Sequence, residues 1–411
     1  MKYRATSQVH VSLDTGATPK KVGRLAWIDR KLYFEYDIEF LRGGLELSPF
    51  KLPLRATTYC GEPLPFEGLF GLFNDSLPDG WGRLLLDRKL RSYGIAPEML
   101  GPLDRLTHVG KFGMGALVYE PDESDSTLNS NTLDLNKLAT ETTRVLAGET
   151  EVVFPELLNL SGSSGGARPK VMVGLSIDKS RIIHGQQLLP KEYEHWMIKF
   201  PSSHDSTDAG AVEYAYSLMA RAAGLEMMAT HLFPAKKGPG YFGVERFDRF
   251  RNTRLHMHSL SGLIHSDHQL PSLDYRDVLK VTFDLTRSMK EVTKLFRITS
   301  FNVLARNRDD HAKNFSFLMD ANGSWRVSPA YDLTYSAGPG GEHCTTVMGE
   351  GKSPTRDHLE RLAEQFGISK GITKKILEHT REAISEWPKF AEEAGVRKAT
   401  IRSIKKSIQS P

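Results

Sequence analysis

Residues 307–314 read Asn-Arg-Asp-Asp-His-Ala-Lys-Asn, and Tyr331-Asp332-Leu333 follows a short distance on. Between them lie a short apolar run (FSFLM, 315–319), a turn signal at Asp320-Ala321-Asn322-Gly323, and a return strand at Trp325-Arg326-Val327. A hairpin brings its open ends together, about 5 Å apart between neighbouring strands. The spacing therefore predicts that Asp309, Asn314 and Asp332 surround one small volume. Two carboxylates and an amide oxygen are hard ligands, suited to Mg²⁺ rather than Zn²⁺.

Phosphoryl transfer uses such a set. In protein kinases a catalytic Asp is followed five positions later by a metal-binding Asn, and a second metal-binding Asp follows a hairpin. Asp309 stands five before Asn314, whereas Asp310 stands four before it, so Asp309 fits the base. Asn314 and Asp332 fit the metal ligands. The bland alternative is a polar turn in which Asp309, Asp310 and His311 cap a helix; the added Asn, hairpin and second Asp argue against it. A His/Asp metallohydrolase built on His311 would need further ligands, and His256, His258 and His265 lack a HExxH-like spacing.

A nucleotide's phosphates must also be held and their charge offset. The glycine-rich stretch SGSSGGARPK at 161–170 offers backbone amides that can approach phosphate oxygens, although it is neither a Walker A loop nor GxGxxG and also reads as a connector. Lys199 lies in the strand-like YEHWMIKF. Alternation puts it on the face of Met197, opposite Trp196 and Ile198. It reads either as an edge-strand lysine or as a phosphate-gripping lysine partnered by Glu213, early in the next helix. Glu245-Arg246-Phe247 is a candidate hinge whose backbone groups and aromatic ring would meet adenine; the alternative is a charged strand end.

The elements that must position these residues are legible in outline. Within residues 1–120, VHVSL, GRLAWI and KLYFEY alternate apolar and polar residues, as strands do. A helix is expected to start on a cap at Asp75 or Ser76 and end at Gly94, and 121–135 reads as a linker. After Pro201 the pattern becomes helical. Val212, Ala215, Leu218, Met219 and Ala222 form one stripe, with Gly224 as the stop. Further helices are expected near 290–305, 356–367, 370–387 and 396–408. The fold class is α+β, with a β-rich region at 1–120, a region at 121–200 carrying the glycine-rich loop, and a mainly helical region at 201–411.

Composition excludes several classes. With 54 basic and 50 acidic residues the net charge is +4, too even to argue for direct nucleic-acid binding. The locally basic stretch 397–406 reads as a solvated helix face, since Ile401, Ile404 and Ile408 give it a packed side. Cys60 and Cys344, far apart, support neither a disulfide framework nor a Cys-based zinc site. No run reaches the roughly 18 apolar residues of a membrane span, and the cytoplasm is the expected location.

Taken in order, SSGGARPK, HWMIKFP, VERFDR, NRDDHAKNFSF and SPAYDL resemble the HipA family of bacterial toxin kinases. GRLAW, LSPFKLPLR and GLFNDSLPDGWG resemble that family's N-terminal region, and the likeness spans roughly residues 10–390. The resemblance implies a two-lobed protein-kinase-like fold with an added β-rich N-terminal subdomain. It implies ATP and Mg²⁺ as cofactors and phosphorylation of serine or threonine on a protein, an aminoacyl-tRNA synthetase in known members. It implies a HipB-type helix-turn-helix antitoxin as partner, with DNA reached through that antitoxin. By position it makes Asp309 the base, Asn314 and Asp332 the metal ligands, and Lys199 the phosphate lysine. Gly165, Gly166, Ala167, Arg168, Pro169 and Lys170 fall on its phosphate loop. Glu245, Arg246 and Phe247 fall on its adenine contacts, and His311, Lys313 and Tyr331 are counted with the nucleotide contacts. Ser163, with Ser161 and Ser164 as alternatives, falls on the serine whose autophosphorylation ejects that loop. Competing classes are a small-molecule kinase, a non-catalytic corepressor acting with an antitoxin, and a metal-dependent hydrolase.

Overall fold

A computed structural model describes residues 5–124, 132–149, 157, 160, 166, 168–185, 188–203 and 205–409. Strands β1 (Gln8–Leu13), β2 (Lys20–Ile28), β3 (Lys31–Tyr36), β4 (Thr58–Cys60) and β5 (Leu117–Glu120) form an antiparallel sheet in the order β4-β3-β2-β1-β5. Their period of two is clean: Val9, Val11 and Leu13, then Leu32, Phe34 and Tyr36, all point into one core. The β2–β3 turn is made by Asp29 and Arg30, both at positive φ (48° and 62°), which matches the twist of a tight hairpin.

Against this sheet pack the short helix Gly71–Asn74 and the helix Pro102–Val109, while a helix between them turns Trp81 and Leu85 into a separate core. The expected cap at Asp75 or Ser76 is corrected: the helix is Gly80–Ser92, with Asp79 at its N-cap, and Gly94 closes it at φ 77°. Asp75 instead ends a short helix, Gly71–Asn74, and its buried carboxylate is taken by the Nδ1 of His258 and the backbone N and Oγ of Ser259, each at 2.6 Å. The linker expected over 121–135 also ends early, because Leu133 donates to the carbonyl of Ile182 and the helix Leu135–Leu146 starts on Asp134.

A second antiparallel sheet comprises β6 (Lys170–Ser176), β7 (Ile182–His184), β8 (Tyr193–Lys199), β9 (Thr230–Phe233) and β10 (Tyr241–Glu245), ordered β7-β6-β8-β10-β9. In its register Lys199 sits opposite both Lys170 and Phe242. Two short strands, β11 (Arg249–Phe250) and β12 (Thr253–Arg254), lead to β13 (His256–Ser259) and then to β14 (Leu273–Asp274). The expected hairpin is present as β15 (Ser316–Met319) and β16 (Trp325–Val327), and β13 adds a third strand to it. A last strand, β17 (Thr345–Thr346), pairs parallel with β14.

The rest is helical: Ala209–Ala222, Tyr275–Thr286, Met289–Leu304, Arg356–Gln365, Lys370–Ser385, Trp387–Glu393 and Lys398–Gln409. Side-chain caps start several of these helices, with Ser288 and Ser369 accepting from the third residue onward. Tyr216, Phe296, Phe301 and Trp387 fill the core they enclose. The single stripe expected on Ala209–Ala222 was drawn too narrowly. Ala222 is exposed, while Glu213, Tyr216 and Ser217 are buried, because that helix has the core on one side and the cleft on another. Among the described residues no helix is long and apolar enough to cross a membrane.

A buried charge cluster locks the N-terminal region to the rest. Asp248, fully buried, accepts from Arg246 (2.9 and 2.7 Å), Arg249 (2.7 Å) and the backbone N of Gly115 (2.7 Å). Arg249 and Arg254 donate to the carbonyls of Gly113 and Gly115. These bonds satisfy charges that would be costly to bury unpaired, and they carry Met114 to the wall of the cleft described next.

Candidate active site

A cleft of about 720 Å³ lies between the second sheet and the 307–335 segment, with the N-terminal region closing one side. Asp309, Asn314 and Asp332 all line it, as do Lys170 and Lys199. The hairpin β15–β16 thus brings its two flanks to one place.

The loop at 307–314 separates the two adjacent carboxylates. Asp310 is fully buried and accepts from the hydroxyl of Tyr275 (2.7 Å), Nδ1 of His343 (2.8 Å) and the backbone N of Thr345 (3.2 Å). It is a structural post that holds the 343–345 segment beside the loop. Asp309 is open to solvent in the cleft. The surrounding walls still raise its pKa, with the nearby Asp332 adding to that and His311 opposing it. A single turn, Ala312–Asn314, swings Asn314 back so that its Nδ2 donates to the carbonyl of Asp309 at 2.7 Å. That bond fixes the amide and leaves its oxygen as the ligand atom.

Lys199 is buried between two acids, 2.5 Å from Oε1 of Glu213 and 2.6 Å from Oδ1 of Asp332. Burial works against its charge, but the two carboxylates outweigh burial and hold it protonated. Burial also raises the Asp332 carboxyl, yet Lys199, Lys170 and Arg168 pull it well below the usual carboxylate range. Both acids hold the lysine at nearly the same distance. Glu213 is raised by burial and by the neighbouring Asp332, while its 2.5 Å contact with Lys199 opposes the rise. Asp332 also takes φ 54°, a left-handed conformation rare outside glycine, which re-aims its side chain into the cleft.

Lys170 lies beside Lys199, and burial together with that second ammonium lowers its pKa to about 8. Gly166 runs over it at φ 95°, and a Cβ there would meet Lys170 Nζ at 2.6 Å, so the loop lies on the lysine. Arg168 reaches Asp205 at 3.0 Å at the cleft edge. Gly165, Ala167, Ser161, Ser163 and Ser164 lie outside the described residues. A prediction follows from Lys170. A bound polyphosphate favours the charged amine, so its binding should weaken as pH rises through about 8 and should take up a proton in that range. Calorimetry in two buffers of different ionisation heat reads the uptake; equal apparent heats would refute it.

The cleft also has an apolar lining: Met197, Phe242 and Val244 from the sheet, with Met114, Met228 and Phe247. Phe242 lies beside Lys199, its ring centroid 5.7 Å from the ammonium. As alternation requires, Lys199 and Met197 line the cleft, whereas Trp196 and Ile198 belong to the core behind the sheet. Of the expected hinge residues, Phe247 packs on Tyr331 with ring centroids 5.2 Å apart. Arg246 does not offer its guanidinium, which is spent on Asp248. Glu245 lines the cleft, and burial raises its pKa. Tyr331 donates to the carbonyl of Lys313 at 2.5 Å and meets Ser316 Oγ at 2.6 Å, tying the two sides of the hairpin. His311 packs edge-on against His268 at 5.6 Å, and Lys313 pairs with Asp79 at 2.6 Å.

The other histidines weighed as metal ligands are engaged elsewhere. His256 meets the carbonyl of Leu47 at 3.0 Å, His258 the Asp75 carboxylate at 2.6 Å, and His265 accepts from the backbone N of Gly71 at 3.0 Å. Asp79, Met114 and His268 are cleft residues that sequence reasoning missed. Asp79 had a faint signal, an acid beside Pro78 and Gly80 in a turn; Met114 and His268 had none.

Comparison with known proteins places this arrangement. A family model described as HipA-like C-terminal domain matches residues 162–387, and one described as HipA N-terminal domain matches residues 13–120. A protein of Sinorhizobium fredii (strain NBRC 101917 / NGR234) named "Putative kinase Y4dM" is 22% identical over 349 residues, covering 79% of each chain. A second from the same strain, "Putative kinase Y4mE", is 28% identical over 202 residues, 45% of this chain and 40% of that one. Among solved structures, HipA of Shewanella oneidensis MR-1, in a complex with HipB and its operator DNA, superposes with a TM-score of 0.69 at 15% identity, covering 97% of this chain and 95% of that one. At that identity the likeness establishes the shared α+β fold.

Proposed function

This chain belongs to the HipA family, and from that premise we propose that it is an ATP-dependent serine/threonine protein kinase acting as the toxin of a toxin–antitoxin pair. One observation carries the reading: Lys199, clamped by Glu213 and Asp332, lies in the same cleft as the solvent-open Asp309. The kinase names of the two Sinorhizobium fredii relatives support it.

In this reading adenine lies against Met197, Val244 and Phe247, with backbone groups of Glu245 and Arg246 and the Tyr331 ring around it. The phosphates lie toward Lys199, Lys170 and the loop carrying Gly165, Gly166, Ala167, Arg168 and Pro169, with His311 and Lys313 at the far end. Asn314 and Asp332 would hold Mg²⁺, which offsets charge on the phosphates. The donors fit, since Asp332 stays ionised and Asn314 has its amide nitrogen already anchored. Asp309 takes the proton of the acceptor hydroxyl as that oxygen bonds to the γ-phosphorus. The bond from phosphorus to the β–γ bridging oxygen breaks, and ADP leaves. Lys199 and Lys170 offset the charge that collects on the transferred group.

The acceptor is proposed to be a protein of translation such as an aminoacyl-tRNA synthetase. Ser163, or its neighbours Ser161 and Ser164, is proposed as an autophosphorylation site. A HipB-type antitoxin is the proposed partner, consistent with the HipB and operator DNA in the Shewanella oneidensis complex. The proposed location is the cytoplasm. Incubating the protein with labelled ATP, Mg²⁺ and a bacterial lysate tests the reading. Label on a protein's serine or threonine is the expected result. Label on a small molecule alone would mean a small-molecule kinase, phosphate release without labelling a hydrolase, and neither a non-catalytic corepressor. After the same incubation, mass spectrometry should find phosphate on a serine of 161–164, and a phosphate-free loop in active protein removes the autophosphorylation proposal.

A further inference from the structure

Asp79 stands at the N-cap of the helix Gly80–Ser92 but makes no side-chain cap bond. An Asp at this position ordinarily accepts from its own helix, so its carboxylate is being used for something else. One oxygen accepts from the backbone N of Gly166, and the other takes Lys313 Nζ at 2.6 Å. The backbone N of Trp81, two residues on, donates to the carbonyl of Gly166 at 3.3 Å. Both polar backbone atoms of Gly166 are therefore held by the N-terminal region, at the point where the loop crosses Lys170. The third group near this carboxylate is His268, at 4.0 Å.

We infer that Asp79 is a positioning residue that fastens the glycine-rich loop to the catalytic loop, making the N-terminal region a working part of the phosphate site. This rests on the kinase reading above for its consequence, though not for its geometry. Gly166 and Lys313 lie far apart in sequence, yet both bear on where a terminal phosphate sits. A single carboxylate that accepts from both fixes their separation. It also orients Lys313, whose flexible stem would otherwise let the ammonium swing among many rotamers. A charge-assisted bond to a backbone N–H is among the stronger hydrogen bonds available to a protein, so it holds the backbone at Gly166 in place. Removing the charge should leave the helix Gly80–Ser92 intact, because its cap bond is already absent.

The test is hydrogen exchange on the full chain without nucleotide, comparing wild type with Asp79→Asn and Lys313→Met. In Asp79→Asn, a peptide carrying Gly166 should exchange faster, roughly 10- to 100-fold, the loss expected for a hydrogen bond to a charged group. Peptides from β1, β2 and β3 should be unchanged. The KM for ATP should rise by a similar factor in Asp79→Asn, and the double variant Asp79→Asn/Lys313→Met should be no worse than Lys313→Met by that full factor, since the two side chains act together. Unchanged exchange at Gly166 overturns the inference, as does faster exchange spread through the whole N-terminal sheet, which would make Asp79 merely structural. The exchange readout needs no phosphoryl transfer, so a failure here is separate from a failure of the kinase reading.

Discussion

Asp309→Asn is expected to lower phosphoryl transfer by about 10²- to 10⁴-fold, the usual contribution of a positioned general base. Folding and nucleotide binding should survive. The carboxylate opens into the cleft, and the one loop contact that depends on this residue, from Asn314 Nδ2, goes to its backbone carbonyl. The neighbouring substitution should behave in the opposite way. Asp310→Asn puts an amide where a buried carboxylate accepts from Tyr275, His343 and Thr345, and should cost about 1–3 kcal/mol of stability. Paired denaturant melts and transfer assays separate the two. Loss of activity in the Asp310 variant without loss of stability, or the reverse pattern in the Asp309 variant, would exchange their roles.

Lys199→Met is the second large effect, and here stability and activity should fall together. The substitution leaves Glu213 buried beside the partly exposed Asp332 with their shared cation gone, a loss of about 1–3 kcal/mol once solvent at Asp332 is allowed for. The pH dependence has a defined sign. Glu213 already has a raised pKa in the folded protein, and without Lys199 it should rise further. A carboxyl whose folded pKa lies above its unfolded value binds its proton more tightly when folded. Its contribution is therefore fully present below about 4.5, the ordinary glutamate value, and is lost as pH rises through the folded value. The Lys199→Met variant should thus regain stability relative to wild type on mild acidification, and Glu213→Gln added to it should recover part of the loss at neutral pH. A variant whose deficit stays constant with pH would show that the acids are not the source of the destabilisation.

How far the sequence carried the reading depends on how local each feature is. The meeting of Asp309, Asn314 and Asp332 in one cleft was legible because they are tied by a five-residue spacing and a hairpin, both encoded within about thirty residues. Alternation gave the face of Lys199, since Trp196 and Ile198 had to face the core, but it left an edge-strand lysine as an equal reading. Glu213 needed only the start of the next helix. What failed was non-local. The strand His256–Ser259 reads as polar, and its side chains are accommodated because Asp75 and Ser48, about two hundred residues away, satisfy His258. Local capping preference put the start of a helix at Asp75 or Ser76; tertiary demand for the Asp75 carboxylate moved it to Gly80. Asp79 and Met114 enter the cleft because a buried cluster around Asp248 docks one region on another, and no periodicity in either segment reports that.

The docking also gives the fold its functional sense. A kinase-like cleft can be closed by two lobes alone, yet here Leu77, Asp79, Gly80 and Met114 of the N-terminal region line it as well.

The central claim is that Asn314 and Asp332 hold Mg²⁺ on a nucleotide beside Asp309. Titrating ATP into wild type and Asp332→Asn, with and without Mg²⁺, by calorimetry tests it most directly. Wild type should bind ATP markedly more tightly with Mg²⁺ than without, and Asp332→Asn should lose that difference while remaining folded, because Lys199 keeps Glu213. Equal Mg²⁺ dependence in both proteins, or no ATP binding by wild type, would contradict the account.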